Sequence, residues 1–123
     1  MKKSKFVFSF GYAISGIVHA VRENRNMQIH LLIALLVVLA GFFFRVKKDE
    51  FVDLAVMIIL VLSAEMINTA LEEMTDLITT EHRQEAKVAK DVAAGMVLVV
   101  SIGAAIIGIY IFIPYVLAYL GRF

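Results

Sequence analysis

Four polar residues stand in register within an otherwise apolar stretch: Glu65, Asn68, Glu72 and Asp76, separated by three, four and four positions. At about 100° per residue they fall at roughly 0°, 300°, 340° and 20°, a narrow stripe on one face of a helix. The stripe follows directly on the apolar run 54–64. A carboxylate at membrane depth costs about 2.5–3.5 kcal/mol on insertion scales, so it is read first as functional. Three carboxylates and an amide descending from lipid into water form a place where a charged substrate can meet a lipid.

Each residue has a chemical reading and a plainer one. Glu65, partly withdrawn from water, is the candidate base for removing a proton from an alcohol; the plainer reading is a hydrogen bond between helices of neighbouring subunits. Glu72 and Asp76 are hard oxygen donors suited to Mg²⁺, which commonly binds one or two carboxylates plus substrate phosphates; otherwise they form a solvated helix end. Glu23 lies at the same membrane level and is a candidate second carboxylate, or else a helix-end charge. Lys90 can bind phosphate oxygens, and Asp91 can orient that lysine or a nucleotide hydroxyl. Their plainer reading is a snorkelling lysine and a helix-start aspartate. His19, His30 and His82 have no metal-ligand spacing, and no Walker A sequence, kinase Gly-rich loop or GxGxxG is present.

These residues need helices to position them. Residues 5–22 read as an amphipathic helix, with Phe6, Phe10, Ala13, Ile14, Ile17 and Val21 at helical spacing, suited to the membrane interface. A polar hinge, 23–30, leads into an apolar run, 31–44, and a first span is expected over 27–44. A charged turn at 45–50 precedes a second span over 51–78, which carries the polar ladder. A polar connection over 79–90 precedes a third span over 92–113, ended by Pro114. The fold class expected is an all-α membrane protein of one domain, residues 1–123, with three transmembrane helices and an N-terminal amphipathic interfacial helix. Gly11, Gly16, Gly95, Gly103 and Gly108 read as close-packing points between membrane helices.

Charge placement orients the spans. With the N-terminus inside, the inner side carries Lys2, Lys3, Lys5, Arg22, Arg25, Arg83, Lys87 and Lys90, and the outer side Arg45, Lys47, Lys48 and Arg122. Eight against four favours N-inside, with the C-terminus outside. Residues 51–64 cover roughly 21 Å of a hydrocarbon core about 30 Å thick. Glu65 therefore lies just inside the cytoplasmic edge, with Glu72 and Asp76 beyond it.

Composition agrees. The chain has 123 residues, is 61% hydrophobic and has a mean hydropathy of +0.86, above the roughly 45–50% apolar share of soluble domains. The absence of cysteine excludes disulfides, thiol nucleophiles and cysteine-ligated metals. No cleavable signal peptide is expected, because the stretch after Lys2, Lys3 and Lys5 is amphipathic rather than continuously apolar.

The string Glu65-Met-Ile-Asn68-Thr-Ala-Leu-Glu72, then Asp76, then Ala89-Lys90-Asp91 with Ala-Ala-Gly95 following, resembles the signature of the prokaryotic diacylglycerol kinase and undecaprenol kinase family. The resemblance covers nearly the whole chain, including Gly11-Tyr12. It implies a homotrimer with active sites between subunits, Mg·ATP as phosphoryl donor and a membrane lipid alcohol as acceptor. By the same resemblance Glu65 is the catalytic base, Asn68 its companion on that face and Glu72 a magnesium ligand. Glu23 matches the other magnesium ligand only after a one-residue shift in the hinge. Lys90, Asp91, Tyr12, Glu81 and His82 match parts of the nucleotide site, to which Asp76 is also assigned. Lys5 stands where the diacylglycerol branch has arginine, keeping the charge but not the bidentate geometry. Arg25, Asn26 and His30 resemble the undecaprenol branch, and Arg25 and His30 are assigned to the lipid head group.

The resulting expectation is a lipid kinase of the bacterial inner membrane, with undecaprenol as acceptor and diacylglycerol as the alternative. No nucleic-acid partner is expected. A proton-coupled exporter using Glu65 is disfavoured, because the acids cluster at one end and three unequal spans show no repeat. A purely structural oligomer would leave the acids between Glu72 and Asp91 idle.

Overall fold

The computed structural model describes residues 2–121, with side chains from residue 5 onward. Arg122, counted above among the outer charges, lies outside the described residues. Four helices follow in order: α1 (Lys2–Glu23), α2 (Arg25–Phe44), α3 (Lys48–Ile78) and α4 (Gln84–Tyr119). The last three are long and apolar enough to cross a membrane. Their 20, 31 and 36 residues correspond to about 30, 46 and 54 Å. The polar ends of α3 and α4 therefore overshoot a hydrocarbon core of about 30 Å. Those overshoots carry the ladder and the charged start of α4.

The hinge is far shorter than the polar stretch 23–30. Only Asn24 separates α1 from α2, because its extended backbone and side-chain oxygen cap α2, accepting from the Met27 N–H at 3.2 Å. α2 ends on Arg45 in the left-handed region (φ 52°), with the Val46 N–H on the Gly41 carbonyl at 3.1 Å. A non-glycine residue there costs about 1–2 kcal/mol. The acids Asp49 and Glu50 in the first turn of α3 suit its dipole.

α3 is the central element and packs most extensively on α4. Its buried residues Leu54, Val61, Ala64, Glu65 and Asn68 recur at helical spacing, so the upper part of the chemical stripe is continuous with the packing stripe. The remaining core is thin: Ala20, Met27, Ala93 and Ile111. Most large apolar side chains stay exposed in the single chain, as expected of helices that lipid or further copies cover.

The structure also departs from the sequence reading at both ends of α4. The polar connection 79–90 is helical from Gln84 onward, where Lys87 and Asp91 form an i,i+4 pair at 2.6 Å. α4 also continues through Pro114 to Tyr119. Proline there removes one backbone bond, and the last turns are held because the Tyr115 hydroxyl donates to Glu50 and accepts from the Lys47 N–H at 3.2 Å. In the single chain a Cβ at Gly11, Gly16, Gly95, Gly103 or Gly108 would meet nothing within 4 Å, so packing at these positions would have to come from further copies. The close approach is at Gly41, where a Cβ would lie 2.8 Å from Phe51 Cε2.

Candidate active site

Contacts fix which ends of the helices lie together. His30 and Asn24 at the start of α2 reach Glu65 on α3, and Lys90 on α4 reaches Asp76 on α3. At the opposite end Tyr115 reaches Glu50, and Phe44 stacks edgewise on Tyr119. The chemical residues thus share one end of the bundle.

Glu65 is the most enclosed large side chain, 1% exposed. Both of its oxygens face a nitrogen of another helix end. Oε2 accepts from Asn24 Nδ2 at 3.1 Å, and Oε1 lies 3.3 Å from His30 Nε2. A buried carboxylate needs such donors, because an unpaired charge out of water is costly. Each oxygen retains a further lone-pair direction, so the group can still accept a proton. One turn on, Thr69 donates to the Glu65 carbonyl at 3.0 Å and accepts from Asn24 at 2.7 Å.

Exposure rises down the ladder. Asn68 is buried and donates to Glu72 Oε1 at 3.2 Å, while its own Oδ1 is buried without a partner. Glu72 and Asp76 are exposed. Asp76 accepts from Lys90 Nζ at 2.6 Å. Asp91 pairs with Lys87 rather than orienting Lys90, because residues 87 and 91 share a face whereas adjacent residues on a helix diverge by about 100°.

On the lipid side, an apolar cavity of about 430 Å³ opens between α2, α3 and α4, lined by Ile33, Val37, Leu54, Ile58, Ala105 and Phe112 among others. His30 lines it, and so does Ser101, whose buried hydroxyl has no partner. His30 is therefore the residue common to the cavity and to Glu65.

The other sequence-predicted residues lie on the surface. Lys5 and Tyr12 are exposed on α1. Glu23 ends α1, exposed, in a shallow depression with His19 and Arg22. Arg25 and His82 are exposed, and Glu81 pairs with Arg83 at 3.4 Å in the α3–α4 turn. Among the described residues no group of three or more His, Asp or Glu is arranged to hold a metal. Asn24 and Thr69 are the site residues the sequence reading missed. The signal for Asn24 was its type, a preferred helix cap between two helical patterns.

Residues 11–112 match the prokaryotic diacylglycerol kinase family, so the chain belongs to it, a family of ATP-dependent lipid kinases. Among its relatives, an undecaprenol kinase of Bacillus subtilis (strain 168) is 40% identical over 111 residues, covering 90% of each chain. A diacylglycerol kinase of Synechocystis sp. is 37% identical over 107 residues, covering 86% of this chain and 61% of that one.

Proposed function

We propose that the protein transfers the γ-phosphoryl group of ATP to the hydroxyl of undecaprenol, giving undecaprenyl phosphate and ADP. Support for the substrate comes from the Bacillus subtilis relative, similar over nearly its whole length. Support for the chemistry comes from one observation: a buried carboxylate, tied by Asn24 at one oxygen, lies 3.3 Å from a histidine that lines an apolar cavity. Diacylglycerol is the second reading, favoured by the relative of that name.

In this reading the lipid tail stays in the apolar cavity and its hydroxyl comes up beside His30. Glu65 takes the hydroxyl proton as the alcohol oxygen bonds to the γ-phosphorus, and the bond from that phosphorus to the bridging oxygen of ADP breaks. Lys90, with Asp76 setting its position, adds positive charge at the phosphates. Tyr12, Lys5, Glu81, His82 and Asp91 belong to the nucleotide side, and Arg25 to the lipid head group. Positioning and electrostatics supply most of the acceleration in phosphoryl transfer.

The donor set suits magnesium. Glu72 offers a hard carboxylate oxygen, and the unpartnered Asn68 Oδ1 a hard neutral oxygen in the same cluster. Glu72 and Glu23 are the residues proposed to hold the ion, which when bound would neutralise phosphate charge. The assembly proposed is a homotrimer in the bacterial inner membrane, with the N-terminus and site cytoplasmic, the C-terminus outside and α1 lying in the interface. The excess of lysine and arginine at the end bearing the ladder supports this orientation.

The test is an assay of the purified protein in one detergent with Mg·ATP and undecaprenol, diacylglycerol or ceramide at matched mole fraction. Faster phosphorylation of undecaprenol is expected. Equal or faster use of diacylglycerol would overturn the substrate assignment, and no phosphorylated lipid at all would overturn the kinase.

A further inference from the structure

We propose that Asn24 is a positioning residue for the base: its side-chain amide fixes the Glu65 carboxylate so that the oxygen beside His30 faces the arriving hydroxyl. This rests on the reading of Glu65 as the base.

Three bonds determine how the Asn24 side chain sits. Its Oδ1 accepts from the Met27 N–H at 3.2 Å, which caps α2. Its Nδ2 donates to Glu65 Oε2 at 3.1 Å and to Thr69 Oγ1 at 2.7 Å. An amide has one acceptor end and two donor hydrogens, and all three are used. The reverse orientation would set a carbonyl oxygen against the carboxylate and an NH₂ against a backbone N–H, so the assignment follows from the network. Thr69 completes it: its only hydrogen goes to the Glu65 carbonyl at 3.0 Å, leaving its oxygen free to accept from Asn24.

The consequence lies in which oxygen is left to work. Asn24 donates to Oε2, and His30, which lines the apolar cavity, lies 3.3 Å from Oε1. A carboxylate with no fixed donor can swing about its terminal torsion, which is broad for glutamate. Tied at Oε2 by Asn24, it turns Oε1 toward His30 and the cavity side. Proton abstraction depends on that alignment.

The same residue joins two functions of the chain. Asn24 is the single residue between α1 and α2. Its cap requires the extended backbone that ends α1, so the seating of α1 and the aim of the base are set by one side chain. Glu23, its neighbour, is exposed. Residue 24 is thus the member of this pair that meets Glu65.

Capping and positioning separate by substitution. Asn24→Ala removes both. Asn24→Ser keeps a good cap, because a serine oxygen accepts from the same backbone N–H, but its side chain is too short to serve Glu65 and Thr69 as well. Losing a hydrogen bond to a charged group corresponds to about a 10- to 100-fold effect. We expect Asn24→Ala to lower both the thermal midpoint and kcat. Asn24→Ser should restore the midpoint while kcat stays down about tenfold or more, with the KM for ATP unchanged. If Asn24→Ser regains wild-type kcat together with stability, the residue is only a helix cap and the proposal fails. A rise in the KM for ATP with unchanged kcat would also overturn it. An unaltered protein without lipid-phosphorylating activity would instead sink the functional reading, and this proposal with it.

Discussion

His30 Nε2 lies 3.3 Å from Glu65 Oε1, and the imidazole is 20% exposed where the carboxylate is 1% exposed. The histidine lines the apolar cavity and faces the acid. In the proposed reading a lipid hydroxyl that approaches Glu65 along that cavity passes the imidazole first, and residue 30 is the point at which head groups would be compared.

His30→Glu should therefore alter the ratio of undecaprenol to diacylglycerol turnover by roughly an order of magnitude. It replaces an imidazole by a second carboxylate next to Glu65, and polar groups discriminate head groups better than apolar walls discriminate tails. Ile33→Leu, an apolar exchange in the cavity wall, should change the ratio less than about threefold. Parallel assays of both lipids decide it. Equal shifts in the two variants would remove His30 from selectivity.

Glu72→Gln should raise the magnesium concentration required for half-maximal activity by roughly tenfold, because the proposed site would rely on few protein carboxylates. Glu23→Gln should raise it as well. Magnesium titrations at fixed ATP provide the check, and an unchanged midpoint in both variants would mean that neither carboxylate binds the ion.

Gly41→Ala should destabilise the protein by about 1–3 kcal/mol, the usual cost of overpacking, since its Cβ would press on the Phe51 ring at 2.8 Å. Gly103→Ala has open space around it in the single chain and should be neutral there. Thermal unfolding in detergent measures both. A large loss at Gly103 would locate a contact between copies of the chain.

The ladder was legible because its spacing alone puts Glu65, Asn68, Glu72 and Asp76 on one face, and apolar runs of this length declare membrane helices. What was illegible depends on distance in the chain. Asn24 meets Glu65 across α2 and α3, and no periodicity encodes that contact. The Lys87–Asp91 pair was readable at i,i+4 spacing, but the polarity of 79–90 looked like a loop. A solvated helix end and a loop have similar composition, and only the alanines and the paired charges tell them apart. Pro114 looked like a terminus because proline breaks isolated helices; the Tyr115 tether to Glu50 comes from another helix. The crowding at Gly41 is set by Phe51 across a turn, which no spacing in the sequence displays.

The most direct test of the central claim is the turnover of Glu65→Gln in micelles containing undecaprenol and Mg·ATP, measured together with ATP binding. The substitution keeps the shape of the side chain and one oxygen able to accept from Asn24, but removes its ability to take a proton. A fall of about 10²–10⁴ in kcat with ATP affinity retained is expected for loss of a general base. Near-normal turnover would contradict the assignment of Glu65 and the mechanism built on it.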